Sequence, residues 1–251
     1  EIKSDRDSLM NAVTLDGYEL KYASDDLKAD KEVVTAAVEQ YGPALKYASD
    51  DLKGDVDVVR TAVEQDIDAL QYASAEMKSN KEIVLAAVKK NGRALKYASE
   101  RLQGDKDVVL AAVKQLGRIL IFASDDMKSD KEVVTAAFDQ DRDALKYASK
   151  VAVMAVVSED GFALEYASRK MRDDKDVVMA AVRQEGFALV FASEYLQEDK
   201  DVVKAAVTQN DRYTKFLTDY MKNDEEIKMA AAKSRLIRKW KMPLGTTTNR
   251  Y

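Results

Sequence analysis

One phrase recurs along this chain. Leu20–Val38 reads LKYASDDLKADKEVVTAAV, and twenty-five residues later Leu45–Val63 reads LKYASDDLKGDVDVVRTAV. The aromatic of the phrase falls at Tyr22, Tyr47, Tyr72, Tyr97, Phe122, Tyr147, Tyr166, Phe191 and Phe216. Each interval is 25 residues except Tyr147 to Tyr166, which is 19. Nine copies at a fixed period predict an array in which each repeat buries its apolar face only against its neighbours. Glu1-Ile-Lys-Ser-Asp5 aligns with Asp26-Leu-Lys-Ala-Asp30, so the chain opens inside a repeat and further repeats are expected upstream of Glu1.

Each repeat reads as two short helices. Asp30 is placed to cap the first, with Glu32 in the turn where the helix dipole favours an acid. Val33, Val34, Ala37 and Val38 form its apolar stripe. Gly42 suits a left-handed stop, and Pro43 suits the first turn of the second helix. Ala44, Leu45, Ala48 and Leu52 make the second stripe. Opposite charges stand four apart at Lys21/Asp25, Lys46/Asp50, Lys96/Glu100 and Lys215/Asp219. They are exchanged at Glu165/Arg169 and neutral at Gln71/Ala75; Lys146/Lys150 breaks the rule. Such joint change predicts contact on one helix surface, with the second helix continuing through residue 50.

Composition narrows the chemistry. The 251 residues are 46% hydrophobic and 34% charged, with only 9 Gly and 2 Pro, as an all-helical protein requires. Cys and His are absent, which excludes disulfides, thiolate nucleophiles and the commonest general base and metal ligand. No cofactor or metal is expected, and a small-molecule ligand is not. The longest apolar run, Val151 to Val157, is far short of the ~20 residues a membrane helix needs. An intracellular setting, cytoplasmic or organellar, is the expectation.

The full pattern D-K-x-V-V-x-A-A-V-x-x-x-G-x-A-L-x-Y-A-S runs from Asp30 to Ser49 and recurs from Asn80 to Ser99 with Asn80 and Ile83 substituted. In this the chain resembles the domain-of-unknown-function 4116 helical repeat family, over nearly all of residues 1–226. The resemblance implies a helical repeat and carries no activity.

Repeated features favour architecture over chemistry. Ser24, Ser49, Ser74, Ser99, Ser124, Ser149, Ser168 and Ser193, with Thr218 in the last copy, are too many for nucleophiles and have no base; packing against a neighbouring helix is the expectation. The aromatic column is expected to be core or a half-buried wedge rather than to stack ring on ring, since helix layers lie ~8–10 Å apart. DDLKAD and DDMKSD lack the glycine and final Glu of a calcium loop.

Function is therefore sought in the exceptions. Six residues are lacking after Ser149; either one helix runs from about Asp143 to Val157, or a segment is missing from the chain. Apolar residues replace polar or small ones at Ile121, Phe162, Phe187 and Val190. After Glu226 there is no acid, and seven Lys and Arg give +7, leaving −5 − 7 = −12 for residues 1–226. Trp240, Met242 and Leu244 lie in this basic end.

The chain is thus expected to be all-α, a curved α-solenoid of about nine 25-residue helix-turn-helix repeats. Residues 1–226 form the array with a shortened repeat near 148–167, 227–240 a C-terminal capping helix, and 241–251 an extended tail. The expected function is a non-catalytic protein–protein interaction scaffold or adaptor, a subunit of a larger assembly. Ile121, Phe162, Phe187, Val190, Trp240, Met242 and Leu244 are the expected partner contacts. The alternative is an RNA-binding helical repeat, which the net charge of −5 disfavours.

Overall fold

The structure, a computed structural model, describes residues 5–241. Its backbone beats in three, not two. A ten-residue α-helix is followed by a six-residue 3₁₀ turn, then by a single α-helical turn. The long helices are α1 (Arg6–Leu15), α2 (Lys31–Gln40), α3 (Val56–Gln65), α4 (Lys81–Lys90) and α5 (Lys106–Gln115). They continue with α6 (Lys131–Gln140), α7 (Lys150–Glu159), α8 (Lys175–Gln184) and α9 (Lys200–Gln209), ending in the longer α10 (Glu225–Lys241). Among the described residues there is no strand. The chain divides into two compact units, one up to Tyr147 and one from Ala148 on.

The first helix of each repeat forms as its sequence predicts. The Asp30 carboxylate accepts from the N–H of Glu32 and Val33, and Val33, Val34, Ala37 and Val38 are fully buried. Within the first unit α2 packs on both α1 and α3, so the stripe of one repeat is covered by its neighbours. At about 1.5–3 kcal/mol per buried Val or Leu side chain, that mutual cover is what orders helices too short to stand alone.

The second element differs from the expectation. Gly42–Tyr47 is a 3₁₀ helix, and Ala48 and Ser49 then turn extended before the short turn Asp50–Lys53. No helix passes through residue 50, so the four-apart pairs do not share a helix face. The lysines lie instead over aromatic rings: Lys46 sits 5.9 Å from both the Tyr47 and Tyr72 centroids, and Lys96 is 4.3 Å from Tyr97. Asp50 pairs three residues on, with Lys53.

Gly42 is not a left-handed stop either. The helix ends at Tyr41 in extended conformation (φ −146°), and Gly42 opens the 3₁₀ turn. Glycine is required there because a Cβ would lie 2.5 Å from the Ala62 carbonyl oxygen of the next repeat. Gln65 completes the joint: its Oε1 accepts from Gly42 N–H at 2.6 Å, and its Nε2 donates to the Gln40 carbonyl. Gln209 does the same for Gly186 and Gln184 in the second unit.

In most copies the repeated serine is a cap rather than packing filler; Ser24 and Ser99 make no such side-chain bond. Ser49 Oγ accepts from Leu52 N–H, while Ser49 N–H donates to the Lys28 carbonyl of the preceding repeat. Ser193 repeats both contacts with Leu196 and Arg172. In the shortened repeat Ser149 caps the long helix α7 directly through Ala152 N–H. The six lacking residues are thus the helical turn and its aspartate cap. Asp143 to Val157 is therefore not one helix, because extended residues separate the 3₁₀ turn Arg142–Tyr147 from α7.

Candidate functional site

Two constructions run from repeat to repeat, and the candidate site is best seen against them. The first is a ladder of cations. Arg6, at the start of α1, reaches Asp30 and Glu32. Lys31 reaches Asp55 at 2.7 Å and Asp57 at 3.4 Å, and Lys81 reaches Asp105 and Asp107, both at 2.8 Å. In the second unit Lys150, Lys175 and Lys200 bridge the cap and the first turn of the following helix in the same way. Each cation thus joins two anions, one of them already capping a helix. The Lys175 ammonium is held charged up to about 12 by Asp201 and Asp199. The Asp130 carboxyl is held below its ordinary range, first by the hydrogen bond from Lys106.

The second construction is aromatic. The residue at the Pro43 position of one repeat bridges to the column residue twenty-nine later. Tyr18 lies 5.7 Å from Tyr47, edge to face, and Asp68 accepts from the Tyr97 hydroxyl at 2.7 Å. In the second unit Phe162 meets Phe191 at 6.4 Å, and Phe187 meets Phe216 at 5.7 Å. Phe187 also lies 5.8 Å from Tyr213, whose hydroxyl burial holds protonated beyond its usual range.

This second unit carries the candidate site. Three of the residues singled out from sequence come together on its 3₁₀ turns: Phe162 on Gly161–Tyr166, and Phe187 and Val190 on Gly186–Phe191. Phe162 and Val190 are 43% and 44% exposed, while Phe187 is half-buried between Tyr213 and Phe216. Phe191, Tyr195 and Phe216 extend the face and were not among the expected contacts. Phe191 and Phe216 were concealed as ordinary members of the repeated column, and Tyr195 replaces the acid or basic residue usual at its position.

The remaining expected contacts are not gathered there. Ile121 belongs to the first unit and is 44% exposed. Trp240 stands 86% exposed near the end of α10. Met242 and Leu244 lie outside the described residues. An aromatic cluster in the first repeat, Tyr18 with Tyr22, Tyr41 and Tyr47, was also missed. Reading the Pro43 column back to Tyr18 would have found it.

The basic C-terminus has internal partners. Asp211 occupies the glycine position of its repeat, and its side chain is only 7% exposed. Arg235 and Arg238 on α10 both bind it, at 3.1 and 2.9 Å, and Lys228 pairs with Glu225. Among the described residues no helix is long and apolar enough to cross a membrane.

Stacked helical repeats of this kind define an all-α tandem repeat protein. The family match is direct: the model of the family described as Domain of unknown function (DUF4116) matches residues 30–78, 55–103, 80–127, 105–150 and 153–197, and the chain belongs to that family. Successive matches among the first four overlap by about a repeat, while 105–150 and 153–197 do not overlap and meet at the shortened repeat. No curated protein and no solved structure matches the chain.

Proposed function

We propose that the protein is a non-catalytic scaffold or adaptor that holds partner proteins on the apolar face of its second unit. The observation that carries this reading is the convergence of Phe162, Phe187 and Val190 with Phe191 and Phe216 on adjacent 3₁₀ turns. An otherwise charged repeat surface does not need exposed aromatics at positions elsewhere filled by Lys, Pro or Arg, and contiguous apolar surface of this sort marks interaction sites. The repeat-to-repeat ladder and caps are structural and give that face a firm base. We place it inside the cell, as a chain without cysteine or an Asn-x-Ser/Thr sequon.

RNA binding gains less support, because Arg235 and Arg238 are committed to Asp211 and the chain as a whole is net negative. The test is affinity capture from native extract with the intact chain beside a Val190→Asp, Trp240→Ala double variant. Partner proteins retained by the wild type and lost by the variant, with unchanged circular dichroism, support the reading. Identical capture by both would refute this face as the working surface.

A further inference from the structure

The short helical turn after each 3₁₀ element is acidic or neutral in its first two residues at every other position. It reads Asp25-Asp26, Asp50-Asp51, Ala75-Glu76, Glu100-Arg101, Asp125-Asp126, Glu194-Tyr195 and Asp219-Tyr220. Only Arg169–Arg172, with the sequence RKMR, is basic, and it carries three cations. The lysine rungs of this unit and the arginines of α10 are matched by carboxylates, whereas Arg169, Lys170 and Arg172 form no ion pair among the described residues. Arg172 is further exposed as a misfit: its Nε is buried and finds no hydrogen-bond partner. A guanidinium with one desolvated, unpaired N–H and no carboxylate beside it is costly, and an anion bound to its remaining N–H groups would offset the unbalanced charge.

Arg169 and Arg172 open onto a cleft of about 570 Å³ that also contains Phe191, Glu194 and Tyr195, the last 76% exposed; Lys170 lies on the same turn outside its lining. Phe191 is the ring that Phe162 meets, so the basic cleft adjoins the apolar face described above. Of the lining residues, Arg169 and Arg172 against Glu194 leave 2 − 1 = +1, and the exposed Lys170 stands on the same turn. A phosphate monoester carries about −1.5 to −2 at neutral pH, opposite in sign to the cleft and small enough to enter it. A nucleic-acid backbone does not suit the surroundings, because residues 1–226 carry −12 and a polyanion would be repelled over any extended path.

We propose that Arg169 and Arg172, with Lys170 beside them on the same turn, bind a phosphorylated side chain of a partner protein, whose neighbouring apolar residues rest against Phe191 and Phe162. This rests on the scaffold reading and names the partner's chemistry. The Arg169 guanidinium and the terminal amino groups of Arg172 supply hydrogen bonds to phosphoryl oxygens, Lys170 adds charge from the same turn, and Tyr195 walls the cleft. Nothing in the motif vocabulary of the sequence predicts it; the signal is a charge reversal at a single repeat.

The test uses the intact chain and fluorescent peptide libraries of random sequence around a fixed central phosphoserine or phosphotyrosine. The same libraries after phosphatase treatment and a homopolymer RNA serve as comparisons. The expected result is a selected phosphopeptide that binds about tenfold or more tighter than its unphosphorylated form. Arg172→Gln and, separately, the exposed Arg169→Gln should each remove most of that difference without changing circular dichroism. Phe162→Ser should weaken phosphorylated and unphosphorylated forms alike. No phosphate-dependent binding up to millimolar peptide, or phosphate dependence that survives both arginine variants, overturns the proposal. RNA binding abolished by Arg172→Gln without peptide binding would also overturn it, assigning the cleft to nucleic acid. Unphosphorylated peptides bound equally by wild type and arginine variants, but lost in Phe162→Ser, would leave the scaffold reading standing and remove the phosphate alone.

Discussion

Replacing Gly42 and Gly54 by alanine, one at a time, separates two reasons for which a repeat keeps glycine. Gly54 ends a helical turn at φ −99°, ψ −4°, a conformation open to any residue, and an added Cβ would meet Asp51 O at 3.3 Å and Ser74 Oγ at 3.7 Å. Alanine there should stabilise by about 0.4–1 kcal/mol, through lost freedom of the unfolded chain. At Gly42 the same unfolded-state gain applies, but the Cβ falls 2.5 Å from Ala62 O, 2.9 Å from Gln65 Oε1 and 3.0 Å from Asp66 N. Ordinary carbon contacts begin near ~3.5 Å, so the end of α3 must retreat by roughly 1 Å, carrying the Gln65 bond with it. Overpacking of this sort costs about 1–3 kcal/mol. Because the entropy gain is common to both variants, their difference isolates the clash. Gly42→Ala should be the less stable of the two by about 1–3 kcal/mol. Urea unfolding followed by circular dichroism measures it, and amide exchange at the start of the 3₁₀ turn should accelerate in Gly42→Ala alone. Equal stability of the two variants would refute close approach as the reason for Gly42.

Three further outcomes are expected. Ser193→Ala removes the side-chain acceptor for Leu196 N–H and should cost about 1 kcal/mol, read from the thermal midpoint. For pH, Asp30 and Asp130 have folded pKa values lowered chiefly by their bonds from Arg6 and Lys106. Their contribution is present above the ordinary value of 3.8 and is lost as pH falls through the lower folded value, while that of Lys175 is lost only as pH rises past 10.5 toward about 12. Urea midpoints should therefore be flat from neutrality to about pH 5 and fall below it; a midpoint unchanged at pH 3 would contradict the ladder. Finally, with Ile67→Gly and Lys90→Gln already in place to close the joint, Val56→Lys with Asn80→Asp should couple favourably in a double-mutant cycle by up to ~1 kcal/mol, a gain that shrinks with added salt, as surface pairs do.

The period, the helical class, the aspartate caps and the buried stripe of Val33, Val34, Ala37 and Val38 were all legible, because each is a local rule repeated in register. The 3₁₀ turn was not. Ala44, Leu45 and Ala48 have the spacing of an α-helix, and periodicity over six residues does not separate three from 3.6 residues per turn. The signal lay in Ser49, a strong N-cap standing where a continuous helix would have its interior. Lys46/Asp50 misled for the same reason: the charges do change together, but the lysine answers to rings of its own and the next repeat, not to the acid. Of the candidate site, Phe162, Phe187 and Val190 were found because they break a column. Phe191 was missed because it keeps to one, and Arg172 because its buried Nε is a property of position rather than residue type.

Columns read one at a time also conceal the interface between α3 and α4. Val56 replaces the ladder cation and Asn80 replaces the aspartate that would receive it, so cation and anion are lost together. Ile67 stands at the glycine position, and Lys90 replaces the clamping glutamine, reaching instead to the Glu64 carbonyl. Any one of these could be neutral drift. An isoleucine in the glycine's place, however, does not allow the approach that brings Ala62 O within 2.5 Å of a Cβ at Gly42. A glutamine set to clamp a close joint then has no joint to clamp, and a lysine rung spans too wide a gap. α3 accordingly packs on α4 less closely than α2 packs on α3, and a cleft of about 180 Å³ with Val63, Ile83 and Ala87 in its walls opens between them. The four departures are one structural event. Restoring glycine at Ile67 alone should leave the cleft open, because ladder and clamp would still be absent; restoring all four should close it and raise amide protection along α4 to that of α2. Protection along α4 already equal to that of α2 in the wild type would show that the joints are independent and the coincidence empty.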